Sequence, residues 1–502
     1  MTLSAAYSII SSAFLSNAAQ SAVVSSNISN ANTAGYSREI ANVVTTVDGG
    51  AEVASVTREA SNALSEQVNA ATSDSAYAQA LSDGLTTLAA TVSDSSSSSS
   101  SSGSTVNGDS PSAMLSQLQD ALTTYEDSPS STAAADAVVA AAKNLVGSLK
   151  TGSSTVQQAR EQADSQMATD VSAVNSLLQQ YSEVDQEIVS GLASGADVNS
   201  YEDTRDSLLT QISKYVGVST TANPNGSLSV YTDSGVNLYQ SGVVNQLSFT
   251  ASPTLTDGTS GNQVTVNGVA ITGSSSPMAT QTGELAGLVQ LRDVVAPQYE
   301  SQLDQIACGV INAFAESDQS TTDTGLASLP GLFTYSGATG LPSSSSAAGL
   351  ADAIEVNSAV DPNQGGDVSL LRDGGINGSD YVYNTTGASG YTGRIAGMIS
   401  AIDSTQTFDS SAGLGTSDAL SDYASASVSW LNAQNQSASD AADYQSSLLT
   451  RATSALSNAT GVNLDTELTN MLNIENSYTT TAKLLTTVDD MFTALLDAVN
   501  PT

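Results

Sequence analysis

Histidine is absent from all 502 residues, and there is one cysteine, Cys308. Without histidine there can be no Ser-His-Asp or Cys-His catalytic site and no His-ligated metal. With one cysteine there is no intrachain disulfide and no four-cysteine zinc site. Basic residues are also scarce: 12 Lys and Arg stand against 50 Asp and Glu, a formal charge of −38. Nucleic-acid binders need a basic footprint, so that class is excluded, and an anionic membrane face would repel the chain. No run approaches 18 apolar residues, so no membrane-spanning helix is expected. The first basic residue is Arg38. A cleaved secretory signal opens on a basic segment, so any export is expected to use a route that reads something else. Aromatic residues make up only 5 % of the chain against 40 % hydrophobic residues in all. Any core must therefore be built from small side chains.

What is present is helical periodicity at both ends. Positions 3, 7, 10, 14, 17, 21, 24 and 28 step by three and four, and only Asn17 and Ser21 among them are polar. Leu3, Tyr7, Ile10 and Phe14 lead this stripe, which stops at the loop-forming cluster Asn30 to Gly35. The far end repeats the pattern. Positions 464, 468, 471, 475, 478, 482, 485, 489, 492, 496 and 499 are apolar except Glu475 and Asp489. Leu464, Leu468, Met471, Tyr478, Leu485, Phe492 and Leu496 carry that stripe. Isolated amphipathic helices are marginal in water until the apolar face is covered. Two such ends are therefore expected to pair as a coiled coil and to seek neighbouring copies.

Between the ends the period changes twice. Residues 1–59 hold the first helix and the loop motif, and 60–216 read as a helical domain interrupted by a Ser-rich loop at 95–111. Helical spacing covers 60–94, 112–150 and 156–190, with a further helix at 201–215. Alternation then takes over: 217–283 predicts a small antiparallel β unit, with a two-residue hairpin turn at Asn267-Gly268. Helix returns over 284–316, which includes Cys308 as a small buried hydrophobe. Residues 317–400 read as an irregular outer insertion, 401–459 as a long helix carrying Trp430, and 460–502 as the C-terminal helix. The expected class is mainly α with inserted β: paired terminal helices, an elongated helical bundle, a small β unit and an irregular insertion.

Catalytic patterns are missing. There is no phosphate-binding loop, no G-x-S-x-G elbow, no S-x-x-K pair and no calcium loop. Nothing in the spacing of the 50 carboxylates marks two as a pair. Asp489-Asp490 are neighbours on a helix and so point apart. Neither a catalytic residue, a cofactor nor a metal is expected.

Two stretches carry a resemblance. Asn27-Ile28-Ser29-Asn30-Ala31-Asn32-Thr33-Ala34-Gly35-Tyr36-Ser37-Arg38 resembles the motif of the bacterial flagellar rod, hook and hook-associated axial proteins. Gly461 to Leu468, with Tyr478 and Asp490 to Leu496, is similar to the terminal helix of the same proteins. Three internal pieces favour the hook-associated members at the hook–filament junction. These are Val56-Thr57-Arg58, Asp203-Thr204-Arg205-Asp206-Ser207-Leu208-Leu209, and Gly283 to Leu288 with Arg292-Asp293. The Ser95–Ser102 run is not part of that pattern.

The resemblance implies a structural subunit that leaves the cell through the flagellar type III export apparatus, escorted by an export chaperone, without a cleaved signal. It implies extracellular assembly with its own copies at the distal end of the hook, between the hook protein and a second junction protein. Asn30, Asn32 and Gly35 would shape the turn after the first helix. Tyr36 and Arg38 would touch a neighbouring subunit or the adjacent helix. A hook subunit is the alternative that the shared end motifs allow. A Ser-rich surface adhesin should show long β repeats, and the sequence has none.

Overall fold

The computed structural model describes residues 3–92, 108–256, 258–320 and 325–499. The Ser95–Ser102 run lies outside the described residues. The chain opens with α1 (Leu3–Asn30), followed by a β-hairpin of β1 (Glu39–Thr45) and β2 (Ala51–Arg58). Four helices come next: α2 (Asn62–Ala89), α3 (Pro111–Asp127), α4 (Thr132–Ser194) and α5 (Asn199–Tyr215). The β unit holds β3 (Val218–Ala222), β4 (Leu228–Thr232), β5 (Asn237–Gln240) and β6 (Val243–Val244) in one antiparallel sheet. A second antiparallel sheet holds β7 (Leu247–Ser248), β8 (Thr265–Val266) and β9 (Val269–Ala270). Then come α6 (Glu284–Gln290), a π-helical segment (Leu291–Val295) and α7 (Ala296–Ala313).

The next stretch is made of short pieces: β10 (Phe333–Tyr335), α8 (Leu350–Ala353), β11 (Ile354–Val356), α9 (Leu370–Asp373) and α10 (Gly393–Ile402). The strands β12 (Thr405–Thr407) and β13 (Ser417–Ala419) lead into the two long closing helices, α11 (Leu420–Thr460) and α12 (Leu464–Val499). Among the described residues no helix is long and apolar enough to cross a membrane.

The axis of the body is α4, 63 residues and so about 95 Å long at 1.5 Å per residue. Its start is fixed by Ser131, whose side chain accepts a hydrogen bond from the backbone N–H of Ala134 at 3.2 Å. The sequence reading divides this region between 150 and 156, but the helix runs through Gly152, and the break falls earlier, between α3 and α4. Gly152 serves packing instead. A Cβ there would lie 2.9 Å from Leu303 Cδ1, so the missing side chain is the notch into which α7 fits.

One contiguous apolar core joins α2, α3, α4, α5, the β unit, α6, α7 and part of α11. The described residues of 317–400 are irregular, as their composition suggests, but they are not peripheral. Leu332, Phe333, Leu350, Ile354, Leu371 and Ile395 are buried in that same core. Cys308 is buried, and burial pushes its thiol up to about 11. Trp430 is partly buried against the core. The Asn267-Gly268 turn joins β8 to β9 with φ of 50° and 79°, the left-handed pair that a tight hairpin requires.

The first hairpin is where the structure adds an element that the periodicity missed. β1 and β2 pair in antiparallel register from Glu39 opposite Arg58 to Thr45 opposite Ala51. The hairpin lies along α1, where Ser12 Oγ accepts a hydrogen bond from the Ala51 N–H at 3.2 Å. Its signal was Asp48-Gly49-Gly50 between two Val-containing runs.

Candidate assembly site at the paired termini

The two ends of the chain meet as an antiparallel helix pair. Phe14 and Tyr478 stack edge to face with ring centroids 5.0 Å apart. Asn17 and Ser477 exchange hydrogen bonds of 3.1 and 3.2 Å, and Ser21 Oγ lies 3.7 Å from Met471 Sδ. As the chain advances on α1 it retreats on α12, which brings residues 460 positions apart into one seam.

On α1 the inward stripe follows the sequence reading: Ile10, Asn17 and Val24 are buried, and Leu3, Phe14, Ser21 and Ile28 are half-buried. Tyr7 departs from it, being exposed. On α12 only half of the expected stripe faces inward. Met471, Leu485 and Phe492 are half-buried, and Tyr478, although 52 % exposed, sets its ring against Phe14. The positions that alternate with them lie one residue earlier than the apolar count implies. Ile474 is half-buried, Thr481 and Val488 are buried, and Glu475 and Asp489 are exposed. Leu464, Leu468 and Leu496 are exposed on the flanks, with Leu472, Leu484, Met491 and Leu495. The reason is physical: α12 has more apolar residues than one partner helix can cover.

The turn after α1 is held by Asn27, which is fully buried. Its Oδ1 accepts from the Tyr36 hydroxyl at 2.9 Å and from the Glu39 N–H at 2.9 Å, while its Nδ2 donates to the Glu39 carbonyl at 2.9 Å. Tyr36 therefore packs within its own chain. Burial and the nearby carboxylates raise the pKa of its phenol. Asn30 donates to the Ser26 carbonyl at 3.1 Å and accepts from Thr33 Oγ1 at 3.2 Å. Asn32 is exposed. Gly35 has φ of 80° and open space around a would-be Cβ. It is required for its backbone conformation, not for close approach.

Arg38 closes the joint between the ends. Its Nε donates to Glu467 Oε1 at 2.7 Å and its Nη1 to Glu59 at 3.3 Å, while its backbone N–H donates to the Thr460 carbonyl at 2.8 Å. Glu467, at the start of α12, is only 1 % exposed. A second clamp ties this joint to the body. Arg58, at the end of β2, donates to Glu202 at 2.8 Å, Asp203 at 2.9 Å and Asp206 at 2.7 Å, all on α5. Asp203 also accepts the Ser37 N–H at 3.0 Å.

The internal motifs thus have physical roles. Val56-Thr57-Arg58 and Asp203 to Asp206 are the two halves of one ionic joint. Arg205 turns the other way, to buried Asp185 at 3.2 Å and to the Gly226 carbonyl at 2.9 Å, locking α5 onto α4 and the β unit. Sequence reasoning singled out neither Asn27 nor Glu467 as anchors. A polar residue in a heptad frame gives no sign of the partner it will meet. Among the described residues, no group of three or more Cys, Asp or Glu side chains is arranged to hold a metal ion.

Residues 104–328 match the model of the flagellar hook-associated protein FlgK helical domain, and residues 454–498 match the flagellar basal body rod FlgEFG protein C-terminal model. Flagellar hook-associated protein 1 of Salmonella typhimurium is 28 % identical over 311 residues, covering 59 % of this chain and 54 % of the relative. The protein of the same name from Escherichia coli is 27 % identical over 314 residues, with the same coverage. The chain therefore spans about half the length of the curated relatives it matches. A solved structure, the flagellar hook junction protein FlgK from Burkholderia pseudomallei, aligns over 54 % of this chain and 46 % of that one, at 20 % identity and a TM-score of 0.42. The resemblance to the flagellar hook-associated proteins, read from the end motifs and internal pieces, holds.

Proposed function

We propose that this chain, similar to flagellar hook-associated protein 1, is a structural subunit of the bacterial flagellum that joins hook to filament. The observation that carries the reading is the stalk formed by α1 and α12. It brings both chain ends together and leaves a row of leucines uncovered on its flanks, while the body has its own closed core. A subunit of that form gains stability by lying beside copies of itself. In the assembly, α1 and α12 of each copy run along the central axis, and the exposed Leu15, Leu464, Leu468 and Leu472 pack against neighbours. The body, oriented by the Arg58 clamp, points outward.

The partners follow from the position. The subunit contacts its own copies, the hook protein on one side and the second junction protein on the other. It reaches that place through the type III export apparatus, with an export chaperone covering the α12 stripe beforehand, and it functions outside the cell. Its role is mechanical, without catalysis or cofactor. The match of the helical-domain model over 104–328 favours this reading over a hook subunit, whose kinship would rest on the shared ends.

Electron microscopy of a strain lacking the chain tests the reading. Complete hooks without filaments, with filament protein released into the medium, are expected. Loss of the hooks themselves would overturn the junction role in favour of a hook subunit.

A further inference from the structure

Asp170 lies on α4 where α5 and α6 pack against it. It is 1 % exposed. Its Oδ1 accepts a hydrogen bond from Gln166 Nε2 at 2.8 Å, and its Oδ2 has no hydrogen-bond partner. The charged groups acting on it are Glu284, from the first turn of α6, and Lys214, from the end of α5. Lys214 offsets the cost of charging Asp170 only in part, as the smallest of these influences. It is itself 55 % exposed, and its Nζ stands 3.4 Å from Glu284 Oε2, an ion-pair separation that makes no hydrogen bond. A buried carboxylate with a bare oxygen and a second carboxylate as neighbour is costly when charged, because desolvation and like charge act in the same direction.

We infer that Asp170 keeps its proton in the folded protein through mild acid and gives it up around neutrality, and that this proton makes the packing of α4 against α6 a pH-responsive joint, tighter in mild acid and looser in alkali. As a carboxylic acid, Asp170 is neutral, and its repulsion with Glu284 vanishes. Burial, with Glu284 adding to it, pushes its carboxyl up to about 7 from the usual 3.8. In the unfolded chain the group ionises near 4. Folding therefore binds a proton between about pH 4 and pH 7, and stability declines as pH rises through that window, then levels above it. The chain has no histidine, so between about pH 5.5 and 7.5 no unperturbed side chain titrates, and comparison with a variant at Asp170 separates its signal from Glu39 and Asp74, whose carboxyls burial also raises.

The test is thermal unfolding of the full chain from pH 4.5 to 8.5, beside Asp170→Asn, which keeps the shape and an oxygen to accept from Gln166. Relative to the natural chain, the variant should gain several degrees in Tm as pH rises from 4.5 to 7.5, after which the difference is constant. A difference that does not change with pH overturns the inference, even if the variant is stable. Should Asp170→Asn unfold too readily to be scanned, Glu284→Gln decides. Removing the neighbouring charge should move the midpoint of the pH-dependent fall in Tm to lower pH, and an unmoved midpoint overturns the inference equally.

Discussion

The body and the stalk solve one problem, how to bury small apolar residues, in opposite ways. In the body, α4 is surrounded: Leu145, Leu149, Val156, Met167, Val174 and Leu178 are all fully buried along one 63-residue helix. In the stalk, α12 is covered on one side only. Among its described apolar side chains Val488 alone is buried, at 9 %, while seven leucines and methionines on its flanks and seam edge are exposed. The body therefore has a closed energy balance within a single chain, whereas the stalk is an open surface held by one seam, two arginine clamps and the turn around Asn27. A closed core and a helix with uncovered flanks can share one sequence because apolar residues are rationed by geometry, not by composition.

The largest effect that separates the two regions should come from the body. Leu303 is fully buried and fills the notch at Gly152. Leu303→Ala should cost about 2–5 kcal/mol of unfolding free energy, measured by urea titration. Assembly should suffer only in proportion to the loss of folded chain. An unfolding midpoint like that of the natural chain would show that the α4–α7 packing does not support the body.

Next is the joint. Arg58→Ala leaves three carboxylates, between 14 and 30 % exposed, without their cation. It should cost about 2–3 kcal/mol, at the lower edge of what breaking a buried pair costs. Its mark should be faster proteolysis near residues 58–61 with the body left intact. If cleavage there is unchanged, the clamp does not fix the stalk to the body.

Leu485→Asp should leave the melting of the body unaltered, remove part of the roughly 1.5–3 kcal/mol that burying a leucine contributes, and abolish assembly, because every copy repeats the defect. Motility with full filaments would refute the role of the seam. The choice of control matters here. Thr481 is polar and lies outside the apolar count, yet it is 7 % exposed and faces α1, so Thr481→Asp should also disrupt the seam. Thr486→Asp, on an exposed position, should be mild.

The smallest effect belongs to the turn. Gly35→Ala meets no atom but must adopt φ of 80°. It should lower stalk stability by about 1–2 kcal/mol, read as earlier protease trimming of the N-terminal helix. Gly35→Asn should cost less, since asparagine visits that conformation more readily.

Much of this was legible in the residues. The helices at the two ends, the hairpin at Asn267-Gly268 and the change from period 3.6 to period 2 near Gly217 each depend on local chemistry. They hold wherever the segment sits, which is why they could be read without a structure. The absence of histidine likewise excluded whole classes of chemistry, because no fold can supply a missing side chain.

Only the tertiary structure decided which way each element faces and what it meets. The α12 seam contains Ile474, Thr481 and Val488 because α1 approaches from that side, not because those positions are the most apolar. Arg58 and Asp203 form one joint across 145 residues, a separation that local pattern does not encode. Residues 317–400, poor in regular structure, enter the core because α4 and α7 offer a surface that Phe333 and Ile354 can fill. Asp170 is one carboxylate among many in the sequence. Burial beside Glu284, with the nearest cation turned to another partner, is a property of the packed helices alone.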